Sequence, residues 1–204
     1  MKKILFLLAP LALAAYSCGN SAQTQQQDTR TESEIVIENI LSRKSVRSYT
    51  SQAVEQEKID LMLKAGMAAP SGSDRRPWHI IVVNDKGMME TMRESLPYAK
   101  MLGEAPIAII VCGDEERSPN WFLDCSAVTQ NILLAAETLE LGAVWTGAYP
   151  YPDRMAAVSE ALKLPSNIIP LCVIPMGYPN GEQQAKDKYD PAKVHYNTWT
   201  QAAE

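Results

Sequence analysis

From residue 34 onward the apolar positions fall into runs whose spacing separates helices from strands. Ile35, Val36, Ile40 and Leu41 share one side of a short helix over 34–42, and Ile59, Met62, Leu63, Gly66 and Met67 line one face of a second over 55–68. Pro70 stops that second helix, because the residue before a proline is pushed out of the helical region. The unbroken run Ile80 to Val83 predicts a strand over 79–83 buried on both faces. Residues 86–96 predict a helix with Met88, Met89 and Met92 inward, where flexible thioethers fill irregular gaps. Further strands are predicted over 106–112, 142–146 and 170–176, and a further helix over 153–162. The longest helix, 120–141, is apolar almost all round, so it must be covered on several sides, one of them a candidate subunit interface. The tail, 182–204, is polar except for Val194, Tyr196 and Trp199, and is expected to reach a partner subunit to bury them. Alternating helices and strands imply an α+β or α/β domain with a sheet wrapped by helices; strand order stays open.

The N-terminus follows a different plan. Met1, Lys2 and Lys3 precede an apolar run from Ile4 to Ala15, broken only by Pro10. That run is too short to cross a bilayer and has the layout of a secretory signal over 1–17. Ala15-Tyr16-Ser17-Cys18-Gly19 resembles a bacterial lipoprotein cleavage and acylation site, which makes Cys18 the lipidated N-terminus. Residues 18–33 are rich in Gln, Ser and Thr and read as a flexible tether; 34–204 is the folded domain. The expected location is extracytoplasmic, anchored to a bacterial membrane through acyl chains.

Composition narrows the chemistry. The chain has 204 residues, 46% of them hydrophobic, enough for one sizeable core, and its net charge of −5 argues against a nucleic-acid partner. Cys112, Cys125 and Cys172 each sit in an apolar run and cannot all pair within one chain, so they read as buried free thiols. His79 and His195 are too few and too separated to suggest a metal site. Three polar clusters interrupt the core elements, at 43–47, 71–76 and 186–188. The first and third bring five cations: Arg43, Lys44, Arg47, Lys186 and Lys188. Neither common phosphate-binding glycine motif is present, which argues against a nucleoside-triphosphate fold. The middle cluster is a turn set by Gly and Pro, with Ser and Asp able to bond back to it, mounted between a helix and a strand where binding chemistry is often placed.

Together these clusters resemble the nitroreductase family of FMN-dependent oxidoreductases. Arg43-Lys44-Ser45-Val46-Arg47-Ser48-Tyr49 is similar to the family's Arg-x-Ser-x-Arg-x-aromatic opening. Ala69-Pro70-Ser71 through Pro77-Trp78 is similar to its Ala-Pro-Ser and Asn-x-Gln-Pro-Trp motif. The long helix from Asp124 through Gln130-Asn131 to Leu141-Gly142, the Trp145-Thr146-Gly147 turn, and Gly177-Tyr178-Pro179 with Lys186-x-Lys188 complete the set in order.

The resemblance implies an α+β fold with a central mixed sheet wrapped by helices, in a domain-swapped homodimer with two FMN sites at its interface. Arg43, Ser45 and Arg47 then hold the FMN phosphate and ribityl chain, with Lys44 beside them and Lys186 and Lys188 adding charge; Lys188 stands where the family usually has Arg. Pro70, Ser71, Gly72 and Asp74 line the isoalloxazine from the other subunit, and Gly147 with Thr146 brings backbone near flavin N5. No catalytic acid or base is implied, because the flavin carries the electrons. The implied activity is ping-pong two-electron transfer from NAD(P)H, or from a membrane-associated donor if the chain is exported, to a nitroaromatic, quinone or similar flat acceptor. The alternatives are a flavin-binding or sensing protein without turnover, a relative of reductive dehalogenases, and a structural lipoprotein without cofactor. Asp74 and Arg76 stand where the family has Asn and Gln. A ring-facing Asp74 carboxylate opposes the charge of reduced flavin, and its alternative is an ion pair with the neighbouring arginines.

Overall fold

The computed structural model describes residues 30–199. The expected signal over 1–17, Cys18 and nearly all of the tether lie outside the described residues. In chain order the elements are α1 (Glu32–Ser42), α2 (Gln56–Met67), β1 (Trp78–Val83), α3 (Lys86–Ser95), β2 (Ile107–Asp114), α4 (Trp121–Thr138), β3 (Gly142–Ala143), β4 (Thr146–Gly147), α5 (Pro152–Leu162) and β5 (Ile168–Gly177). Single turns of 3₁₀ helix lie at Gly72–Asp74, Lys100–Gly103 and Pro191–Lys193.

The strand order is β1-β2-β5-β3, with β4 also pairing along the outer side of β5. Side-chain alternation along β2 divides the core. Ile107, Ile109 and Val111 face one layer, packed with Met62 of α2 and Val128 and Ile132 of α4. Ala108, Ile110 and Cys112 face the other, packed with Met89 and Met92 of α3 and Val158 of α5. A strand covered on both faces has no polar side to show, which is why its sequence reads as one apolar run. Cys112, Cys125 and Cys172 are all buried free thiols, as their runs imply. Burial pushes the Cys112 and Cys172 thiols up to about 12, and raises Cys125 in the same way.

The α+β class of the sequence reading holds, with four departures in detail. The implied sheet is mixed, yet every strand pairing among the described residues is antiparallel. β1 is not buried on both faces: it is an edge strand bonded only to β2, and His79 and Val82 are exposed while Val83 alone is buried. The strand expected over 142–146 is two short pieces. Pro175 lies opposite the gap with no N–H to give, and its carbonyl accepts only a long 3.4 Å backbone bond from the Val144 amide. Met67, expected inward, is exposed, whereas Ile59, Met62 and Gly66 are buried.

Two segments present apolar surface to solvent within one chain. α1 begins two residues ahead of the expected position, and none of its residues is buried. Ile35, Val36, Ile37, Ile40 and Leu41 are exposed, and Asn39 Nδ2 donates to Leu134 O of α4 at 3.2 Å. In the tail, Tyr196 and Trp199 are 81% and 82% exposed, and the Trp199 ring stacks on His195. Among the described residues no helix is long and apolar enough to cross a membrane.

Candidate functional site

The segment 43–49 is laid against one end of the sheet by its two apolar members. Val46 and Tyr49 are buried; the Val46 amide donates to Ala143 O at 3.0 Å, and the Tyr49 hydroxyl lies 2.7 Å from Val46 O and 2.9 Å from Pro175 O. Burial raises the Tyr49 hydroxyl well above its ordinary value, so it stays a donor. Glycine on the facing strands makes the close approach possible. A Cβ on Gly142 would stand 2.6 Å from Val46, and one on Gly177 would stand 3.4 Å from the Tyr49 Cβ as well as 2.4 Å from Pro106. The Thr50 amide to Tyr178 O and the Asn180 amide to Ser48 O stitch the segment to the turn after β5. With Val46 and Tyr49 fixed inward, Ser45 and Arg47 are exposed.

Arg47 and Arg43 open into different cavities. The larger, about 770 Å³, is lined by Arg47, Tyr98, Lys100, Trp145, Thr146, Gly147 and Arg154, among others. Thr146 donates its hydroxyl to Val173 O at 2.5 Å, so that side chain is committed to the sheet. At Gly147 an added Cβ would meet nothing nearer than Tyr149 O at 3.7 Å; the chain's own packing does not require glycine there. Glu104 also lines this cavity and accepts from Ser48 Oγ at 3.1 Å and the Tyr49 amide at 3.4 Å. The second cavity, about 720 Å³, gathers Arg43, Lys186 and Lys188 beside Ile40, Leu41 and Tyr189, with Asp187 as its acidic member. Three cations converging from opposite ends of the chain give this cavity the charge that a phosphate group needs.

The remaining expected residues lie elsewhere. Lys44 turns toward α4, with Nζ 2.6 Å from Glu137 Oε1, and lines neither of these cavities. Pro70, Ser71, Gly72 and Asp74 sit on the loop between α2 and β1, which also lines neither. That loop is tightly determined. Ser71 Oγ accepts from the Arg76 amide at 3.0 Å, and the Gly72 amide donates to Asp124 Oδ1 at 2.9 Å. Ser73, Asp74 and Arg76 all have positive φ, a conformation that non-glycine residues hold only where the surroundings impose it. The Asp74 carboxylate is paired with the Arg76 guanidinium, whose hydrogen bond holds the carboxyl below its usual range. Of the two positions considered for Asp74, one chain alone adopts the ion pair. An added Cβ on Gly72 would come no closer than 4.0 Å to Asp124, so here too the chain itself leaves room.

Arg43, Lys186 and Lys188 are thus brought together, as are Arg47, Thr146 and Gly147, while Ser45 projects from the segment between them. Sequence alone does not mark Tyr98, Lys100 or Arg154 as site residues, and Trp145 stands out in it only as part of the Trp145-Thr146-Gly147 turn. Lys100 lies in a 3₁₀ turn outside the predicted helices and strands, and Arg154 is the one basic residue of an otherwise ordinary amphipathic helix.

Comparison with known proteins gives the class. The chain matches the Nitroreductase family over residues 40–97 and 87–178, well over half its length. It belongs to that family and is an oxidoreductase by that membership. A relative from Methanothermobacter thermautotrophicus carrying the name NADH dehydrogenase/NAD(P)H nitroreductase is 46% identical over 167 residues, covering 80% of this chain and 87% of the relative. A solved structure of the same name from Bacteroides thetaiotaomicron is 60% identical and superposes with a TM-score of 0.80, over 81% of this chain and 98% of that one. An FMN-dependent nitroreductase from Clostridium difficile is 32% identical, with a TM-score of 0.77 over 80% of this chain and 99% of that one.

Proposed function

We propose that the protein is a homodimeric, FMN-dependent oxidoreductase that passes two electrons, in ping-pong order, from a reduced donor to a flat electron-poor acceptor such as a nitroaromatic or a quinone. The observation that carries this reading is the division of the 43–49 segment between two cavities: Arg43 joins Lys186 and Lys188 in one, and Arg47 joins the Thr146–Gly147 backbone in the other. A phosphate end and a ring end are what a flavin mononucleotide presents.

The residues fit the cofactor. Arg43 offers a planar fork to the phosphate, while Lys186 and Lys188 act as point charges with looser geometry. The absent side chain at Gly147 leaves space for a ring to approach the backbone of β4. Arg47, on the ring side, favours negative charge there. When bound, FMN supplies the two-electron chemistry; the chain binds, orients and electrostatically biases it. No acid or base side chain of this chain is assigned a proton transfer.

A second copy of the chain supplies what one copy leaves open. The exposed apolar residues of α1, the exposed Tyr196 and Trp199, and a determined loop at 70–76 facing neither cavity all support a dimer in which that loop completes the partner's ring site. The N-terminal pattern supports a lipoprotein form anchored through Cys18, for which a membrane-associated reductant replaces soluble nicotinamide. Retention of Cys18→Ala in the membrane fraction would count against that anchor.

The direct test is to mix purified protein with FMN, read the flavin spectrum, then follow its anaerobic reduction by NADH and NADPH and its reoxidation by nitroaromatics and quinones. No uptake of FMN refutes the cofactor reading. Uptake and reduction without reoxidation by any acceptor leaves a flavin-binding protein without turnover. Rapid reduction at micromolar NAD(P)H sinks the membrane donor.

A further inference from the structure

The larger cavity carries more positive charge than the ring end of a flavin accounts for. Arg47, Lys100 and Arg154 line it, against the single carboxylate of Glu104, which is already engaged with Ser48 and the Tyr49 amide. Arg154 differs from the other two in how it is held. It sits in the first turn of α5, its guanidinium 3.8 Å from the centroid of the Tyr151 ring and 5.3 Å from that of Tyr98. Its Nη1 donates to Gly147 O at 3.3 Å, beside the backbone proposed to meet the ring. Cation–π contact on two rings plus one carbonyl fixes the head group without neutralising it. Among the described residues no carboxylate lies within ion-pair distance of Arg154. Of its five N–H donors, four remain for a ligand. Trp145 and Tyr98, which line the cavity with it, are 37% and 71% exposed, and Tyr151, against the guanidinium, is 50% exposed.

We propose that Arg154, held by Tyr151 and Tyr98, forms an anion subsite at the rim of the larger cavity and selects flat aromatic acceptors that bear a carboxylate. The proposal deepens the FMN reading and rests on it: the aromatic part of the acceptor lies over the ring site, and its acidic group reaches the rim. A planar guanidinium takes a carboxylate through two parallel N–H···O bonds, and the tyrosine faces exclude water from one side of that pair. A neutral acceptor of the same shape gains the stacking and not the pair.

The test uses FMN-loaded protein with no electron donor and two probes of equal shape, 4-nitrobenzoate and 4-nitrobenzamide, their binding measured by calorimetry. The expected result is that the carboxylate binds about tenfold or more tightly than the amide, as for a hydrogen-bonded charge pair. Arg154→Gln should bring the two probes to near equality by weakening the carboxylate alone, and Arg154→Lys should keep part of the preference. Equal affinities in the unsubstituted protein overturn the subsite. So does a preference that survives Arg154→Gln, which would place it on Arg47 and Lys100. If Arg154→Gln fails to fold, the unsubstituted protein and Arg154→Lys still decide: an undiminished preference in Arg154→Lys refutes the planar contact. Flavin absorbance separates the two readings. Bound flavin without charge discrimination overturns the subsite alone, and no bound flavin overturns the cofactor reading and the subsite together.

Discussion

The Gly72 amide donates to Asp124 Oδ1 across 2.9 Å, joining the loop after α2 to the first turn of α4. The other carboxylate oxygen of Asp124 accepts from Ser118 Oγ at 3.3 Å, and the residue is only 7% exposed. One buried carboxylate therefore holds the loop that the proposed dimer presents to the flavin ring. Asp124→Ala takes the acceptor from the Gly72 amide, which solvent can reach, and from the buried Ser118 hydroxyl, whose loss is worth about 1–3 kcal/mol. Denaturant unfolding should show a loss in that range. Asp124→Asn keeps one carbonyl acceptor and should lose less. Equal stability of all three proteins would mean that the loop is held by other contacts.

Two glycines on the same side of the sheet should answer oppositely to the same substitution. Gly142 is glycine because of its own chain: an added methyl meets the Val46 side chain at 2.6 Å, at a Cβ that cannot swing away. Gly142→Ala is expected to cost about 1–3 kcal/mol in unfolding, the usual cost of overpacking. Gly147 meets nothing closer than 3.7 Å, so Gly147→Ala should leave stability nearly unchanged while weakening FMN binding, read by flavin fluorescence titration. A stable Gly147→Ala protein with unaltered flavin affinity would remove the ring from that backbone.

Adjacent cations in the 43–47 segment should separate just as cleanly. Arg43 faces Lys186 and Lys188, whereas Lys44 is paired with Glu137 on α4. Arg43→Ala should weaken FMN about tenfold or more, in line with the loss of a charge-assisted phosphate contact. Lys44→Ala should leave flavin affinity alone and cost about 1 kcal/mol of stability or more, because it leaves the mostly buried Glu137 carboxylate unpaired. Lys188→Arg, which gives the phosphate a second planar fork, should tighten binding. Equal flavin affinities in Arg43→Ala and Lys44→Ala would take the phosphate out of the second cavity.

Elements that follow from a single chain's burial were legible in advance; those that depend on neighbours were not. The unbroken apolar runs of β2 and β5 and the helical spacing of the α3 methionines arise because each side chain meets its own chain's core, so the local pattern located them. β1 reads like β2 in sequence, yet it is an edge strand, since four apolar residues in a row do not say what lies on either side of the sheet. The break between β3 and β4 follows from Pro175 on a strand that is distant in sequence, and pairing partners cannot be read locally. In the site, the motif residues that line the two cavities could be found because they come in signature spacings. Lys44 sits inside such a signature and still turns away, because Glu137 on α4 competes for its charge. Arg154 carries no signature: its place beside Gly147 arises from the way α5 packs against α3 and β5, and the tyrosines that hold it, Tyr98 and Tyr151, come from two different connections.

The three buried thiols give the fold a pH dependence whose sign is fixed. Cys112 and Cys172 titrate near 12 in the folded protein because burial disfavours thiolate, and Cys125 shifts in the same direction. In the unfolded chain they titrate at about 8.5. The unfolded state therefore sheds protons first as pH rises, so stability from these groups is full below about pH 8.5 and is lost progressively toward pH 12. Unfolding midpoints measured from pH 7 to pH 10 should fall over the upper part of that range. Replacing Cys172 and Cys112 by Ala, despite a lower starting stability, should flatten the fall. The same burial predicts that a thiol-specific reagent at pH 8 labels these cysteines only after denaturant is added, apart from any label at Cys18. Rapid labelling of the folded protein at Cys112, Cys125 or Cys172, located by peptide mapping, would show that the core around β2 and α4 opens far more readily than its packing implies.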